Sequence, residues 1–115
     1  IDENKESIGL FISWLCDGRD DKVFAFLRDI LSRGQSSNTF LNRVVCACDE
    51  AYRHRLEGNR SVDALVFEKT KKLSNKELEG LIDCLASGVD HSYEGTHTGV
   101  KMACVRALDS LKKLA

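Results

Sequence analysis

The sequence predicts an all-α fold, a compact bundle of five or six short helices. Three observations carry that reading. Proline is absent from all 115 residues, so nothing removes a backbone donor or clashes inside a helical turn. Apolar residues recur at i, i+3, i+4 and i+7 through most of the chain. No run alternates apolar and polar residues between turn signals, as a half-buried strand does.

Ile8, Phe11, Ile12 and Leu15 put one apolar face on a first helix over about 3–17, which Gly18 breaks. Val23, Phe26, Leu27, Ile30 and Leu31 repeat the pattern over about 20–33, closed by Gly34. The polar turn Gln35-Ser36-Ser37-Asn38 follows. Phe40, Val44, Ala47, Cys48, Ala51 and Tyr52 cover one side of a third helix over about 38–57. Leu41, Val45 and Leu56 widen its stripe to about half the circumference, which places it at the centre of the bundle.

Gly58 and Asn59 end that helix, and Ser61 caps a short fourth helix over about 62–72. Ser74-Asn75-Lys76-Glu77 reads as a capping box, in which the Ser74 hydroxyl accepts from the Glu77 amide and the Glu77 carboxylate from the Ser74 amide. Leu78, Leu81, Ile82 and Leu85 give the fifth helix its buried face, and Gly88 stops it. After a loop, Val100, Ala103, Cys104, Ala107, Leu108 and Leu111 line the last helix.

Length points to a single helical domain over 1–115, within the usual roughly 100–200 residues per domain. The chain starts at Ile1 rather than Met, which suggests a processed part or fragment of a longer chain. No leader pattern can be read in it. Seventeen Lys and Arg against 18 Asp and Glu leave a net charge of −1. That balance argues against a dedicated nucleic-acid reader with a large positive field. No stretch approaches the roughly 18 apolar residues needed to span a bilayer, so no membrane role is expected.

Cys16, Cys46, Cys48, Cys84 and Cys104 are odd in number and form no C-x-x-C pair, so neither a zinc ribbon nor a disulfide framework is indicated. Free thiols in a reducing compartment are expected, hence a cytoplasmic location or delivery into a reducing cytosol. Cys46 points away from the third helix's apolar stripe, among Asn42, Arg43, Asp49, Glu50 and Arg53. The two arginines favour its thiolate and the two carboxylates oppose it. A reactive sulfur and a bystander thiol are both open at this point. His54 lies eight residues on, about 12 Å along a straight helix, too far to serve as its base. No catalytic or phosphate-binding motif is present.

The connection from Val89 to Gly99 gathers Asp90, His91, Tyr93, Glu94 and His97 with three hydroxyls. These include ligand types that zinc accepts, but the spacing fits no standard site. A solvated loop using turn and cap chemistry is the better reading, so no metal and no cofactor are expected. Arg53, His54, Arg55 and Arg60, and then Lys69, Lys71, Lys72 and Lys76, lack interleaved aromatics and read as solvated charged faces. Leu10 and Trp14 share a face of the first helix, roughly opposite its apolar stripe. Either that helix is wrapped on both sides, or these two side chains are offered to a partner, as tryptophan often is.

The run from Asn4 to Leu15, with Val23-Phe24-Ala25-Phe26-Leu27, resembles the opening helices of the "novel E3 ligase" family of secreted bacterial ubiquitin ligases. The resemblance covers about the first third of the chain. It implies an all-helical domain whose Cys-x-Asp cysteine accepts ubiquitin as a thioester. The nearest match is Cys48-Asp49-Glu50, with the acid one place early and a glutamate where that family has aspartate.

The expected function is a non-catalytic helical module that docks a protein partner, or a second copy, through a helix surface at Leu10 and Trp14. The alternative is a cysteine-dependent transferase of the bacterial effector ubiquitin-ligase type, acting through Cys46 or Cys48.

Overall fold

A computed structural model of the chain describes residues 3–34, 37–58, 61–90 and 98–114. Among them it forms six α-helices and no strand: α1 (Glu3–Cys16), α2 (Asp20–Ser32), α3 (Ser37–Glu57), α4 (Ala64–Thr70), α5 (Asn75–Asp90) and α6 (Thr98–Leu114). The first three helices each stop at a glycine with positive φ: Gly18 at 72°, Gly34 at 82° and Gly58 at 83°. Any other residue there would carry the steric cost of the left-handed conformation.

The apolar stripes converge on one core. Phe11, Ile12 and Leu15 of α1 are wholly buried, as are Val23 of α2, Leu41 and Val44 of α3, and Leu78, Leu81 and Leu85 of α5. Val66 supplies the contribution of α4, and α6 adds Ala103, Cys104, Ala107 and Leu108. Each large aliphatic or aromatic side chain removed from water in this way stabilises the fold by about 1.5–3 kcal/mol. The centre is shared: α1 packs against α2, α3, α4 and α6, while α3 packs against α1, α4, α5 and α6. No helix of the described residues is long and apolar enough to cross a membrane.

Three local expectations are corrected. Helix α4 spans Ala64–Thr70 rather than 62–72, and its cap is Asp63. The Asp63 carboxylate accepts from the Leu65 and Val66 amides at 3.1 and 3.3 Å, leaving Ser61 two residues before the cap. Gly88 does not stop α5, which continues through it to Asp90. There it serves packing: a Cβ at Gly88 would lie 2.5 Å from Ala103 Cβ and 2.8 Å from Leu41 Cδ2. Leu56 does not widen the buried stripe either. In the final turn of α3 it stands 61 % exposed. The Ser74–Glu77 capping box forms as read, with its two reciprocal bonds at 3.1 and 2.9 Å.

Candidate functional site

Over residues 7–16, helix α1 buries most of its circumference. Phe11, Ile12 and Leu15 face the core, and Ser13 is also buried. Gly9 faces the start of α4, where a Cβ would lie 3.3 Å from Asp63 Oδ1 and 3.5 Å from Leu65 Cδ2. One strip stays open, and at about 100° per residue Leu10, Trp14 and Asp17 share it. Leu10 is 43 % exposed. Trp14 is half-buried, its ring edge-on to Phe26 of α2 at a centroid distance of 5.5 Å and an interplanar angle of 64°.

Phe26 in turn meets Phe11 at 5.8 Å and Phe40 at 5.9 Å, and Phe11 meets Phe40 edge-on at 5.1 Å. Trp14 is thus the outermost ring of a cluster of four that runs into the core. Edge-to-face contacts of this kind add about 0.5–1.5 kcal/mol beyond the area they bury. The cluster therefore holds the indole in place beside an exposed leucine, which suits the strip to apolar contact.

All five cysteines are free, and Cys46 alone among them is exposed. One of its two arginines is already engaged, since Arg53 pairs with Asp49 at 3.0 Å. Cys48, the match to the ubiquitin-ligase nucleophile, is completely buried. Burial pushes its thiol far up, and the nearby Cys16 and Asp49 push the same way. Burial also raises Cys16, with a smaller contribution from Asp17, and Cys104, each to about 12. These thiols stay protonated near neutrality and are poor nucleophiles. Helix α3 runs unbroken from Ser37 to Glu57, which keeps His54 two turns from Cys46. The His54 ring instead meets Phe67 edge-on at 5.5 Å.

The 89–99 stretch is shorter as a connection than the sequence suggests. Val89 and Asp90 continue α5, and Thr98 and Gly99 begin α6. His91, Tyr93, Glu94 and His97 lie outside the described residues, as does Arg60. Among the described residues, no group of three or more His, Cys, Asp or Glu is placed to hold a metal ion. The basic groups are partly occupied within the fold. Lys69 pairs with Asp17 at 3.0 Å, and Arg55 donates to the Thr70 carbonyl and to Asn75 Oδ1.

Compared with protein-family models, curated proteins and solved structures, the chain matches none. The likeness of its opening helices to the secreted ubiquitin ligases gains no support from those comparisons.

Sequence reasoning passed over a cavity of about 360 Å³ between α1, α3 and the 61–63 segment, lined in part by Arg43, Ala47, Glu50 and Val62. Its one sequence signal was the four- and three-residue spacing of Arg43, Ala47 and Glu50, which aligns them on one helix face. The chain segment facing them could not be foreseen.

Proposed function

We propose that the chain is a non-catalytic helical interaction module that docks a protein through the outer strip of α1, with Leu10 and Trp14 as the central contacts. A partner protein and a second copy of the chain are both open to it. The observation that carries this reading is the exposed Leu10 beside a Trp14 fixed by Phe26. A large aromatic already held in place loses little freedom on docking, and tryptophan is enriched among the residues that dominate binding energy. Five free thiols suit work in a reducing compartment such as the cytoplasm.

Light scattering after size exclusion, on the wild type and on Leu10→Asp, is the first test. A wild-type dimer that becomes a folded monomer in Leu10→Asp supports self-association through this strip. If the wild type is monomeric, proteins retained by it are compared with those retained by Leu10→Asp and Leu10→Ala. Folded variants that retain everything the wild type retains would move the site elsewhere.

The alternative, a cysteine-dependent transferase, rests on the exposure of Cys46. It predicts rapid single-site alkylation near neutral pH, coupled to thioester formation with an activated carrier. Slow labelling at Cys46, at the rate of a free peptide thiol, would remove it.

A further inference from the structure

The cavity of about 360 Å³ beside α3 is at the lower end of the volumes that hold small ligands, roughly 300–1,000 Å³. Its floor is apolar, made by Ile8, Ala47, Val62 and Val66. Its charged groups are Arg43, Glu50 and Asp63. Asp63 is committed through one carboxylate oxygen to the amides that open α4. Arg43 and Glu50 form no ion pair among the described residues. They sit seven residues apart on α3, about 10.5 Å at 1.5 Å per residue, with Ala47 between them.

This charge pattern restricts the occupant. A plain anion drawn to Arg43 would meet the Glu50 and Asp63 carboxylates, and a plain cation drawn to Glu50 would meet the guanidinium. Arg43 and Asp63 are exposed and Glu50 is half-buried, so the wrong sign is disfavoured here by repulsion from the like charge, not by burial. A ligand with an apolar body, a carboxylate at one end and an ammonium at the other satisfies both. Three extended residues reach about 10 Å at 3.3–3.6 Å each, which matches the Arg43–Glu50 separation.

The opposite wall is the 61–63 segment. Ser61, Val62 and Asp63 lie outside any helix, and Asp63 is extended at φ −56°, ψ 136°. Among the described residues, the main chain of Ser61 and Val62 makes no backbone hydrogen bond. An extended peptide laid along such a segment gains main-chain bonds, while side-chain contacts below it set the preference.

We infer that the cavity between α3 and the 61–63 segment is a binding site for a short apolar peptide with free termini, about three residues long. Its carboxylate lies at Arg43, its ammonium at Glu50 and its middle side chain over Ala47. This site is independent of the Leu10/Trp14 strip.

Titration calorimetry of the whole chain with alanyl-leucyl-alanine tests it, alongside the N-acetylated and C-amidated forms and the variants Arg43→Gln and Glu50→Gln. Arg43 is exposed and Glu50 half-buried, and circular dichroism checks that each variant folds. Saturable binding of the free tripeptide is expected, weakened about tenfold by either blocking group, as for the loss of a charge-assisted hydrogen bond. Amidation should cost nothing further in Arg43→Gln, and acetylation nothing further in Glu50→Gln. Equal binding of free and blocked peptides would overturn the proposal in favour of a segment of a longer chain. No saturable binding to the folded wild type would overturn it outright. Neither result bears on Leu10→Asp, so the two sites fail separately.

Discussion

A methyl group added to Gly88 would sit 2.5 Å from Ala103 Cβ and 3.1 Å from the Gly99 carbonyl oxygen. Helices α5 and α6 leave no room for a Cβ at this point. Gly88→Ala gains about 1 kcal/mol of helix propensity and must then force the two helices apart. Overpacking of this kind costs about 1–3 kcal/mol or more where backbone is involved. A net loss is expected, read as a lower urea midpoint. Gly80→Ala is the control: its new Cβ meets only the Ser110 hydroxyl, at 3.2 Å, so its midpoint should be unchanged or raised.

The cap of α4 separates two readings of one segment. Asp63→Ala removes the bonds to the Leu65 and Val66 amides and should cost about 1 kcal/mol. Ser61→Ala, two residues before the cap, should stay within about 0.5 kcal/mol of the wild type. Equal losses in denaturant titrations would return the cap to Ser61.

Leu10 and Trp14 share a face but not a role in stability. Leu10→Ala should change the unfolding free energy by less than about 0.5 kcal/mol, as exposed sites do. Trp14→Ala gives up the edge contact with Phe26 and half-buried area, and should cost about 1–2 kcal/mol. Trp14 is the single tryptophan. Docking on the α1 strip should therefore shift its emission to shorter wavelength, and emission unchanged at saturation would place the contact elsewhere.

The cysteines divide by accessibility. Iodoacetamide at neutral pH should modify Cys46 first, because it alone is exposed. Cys48 and Cys104 are buried and should react only as fast as the fold opens. Peptide mapping across a denaturant series reads this order directly.

Alkaline pH should weaken the fold through the same thiols. Cys16 and Cys104 rise from an ordinary value of 9.0 to about 12 in the folded chain. Cys48 moves further in the same direction. The folded state therefore holds protons that the unfolded chain releases. Their stabilising contribution is complete below about pH 9 and is lost as pH rises towards 12. Melting temperatures measured from pH 8 upward should fall, and Cys104→Ala should flatten the decline.

Much of the architecture was legible because helical periodicity is a local signal. Phe11, Ile12 and Leu15 announce their burial by spacing alone, and Ser74 and Glu77 announce a helix start within four residues. What escaped depends on other helices. Gly88 looks like a stop until Ala103 of α6 is seen against it. Ser61 was read as the cap from residue type alone; Asp63 takes that place because its carboxylate reaches the Leu65 and Val66 amides. The exposed side of Cys46 followed from its place on α3. The cavity at Arg43 and Glu50 needed the return of 61–63 along that helix, which no spacing encodes.

Helix α6 packs against α1, α2, α3 and α5, and Lys112 reaches back to Asp20 at 2.8 Å across 92 positions. On the ribosome, this wall of the core is translated after every surface it covers. Until its last turn leaves the exit tunnel, the nascent α1, α3 and α5 hold part of their apolar faces in water. Leu41, which meets the Gly88–Ala103 contact, is among the side chains left waiting. A message truncated before α6 should yield a chain that chaperones hold and proteases clear.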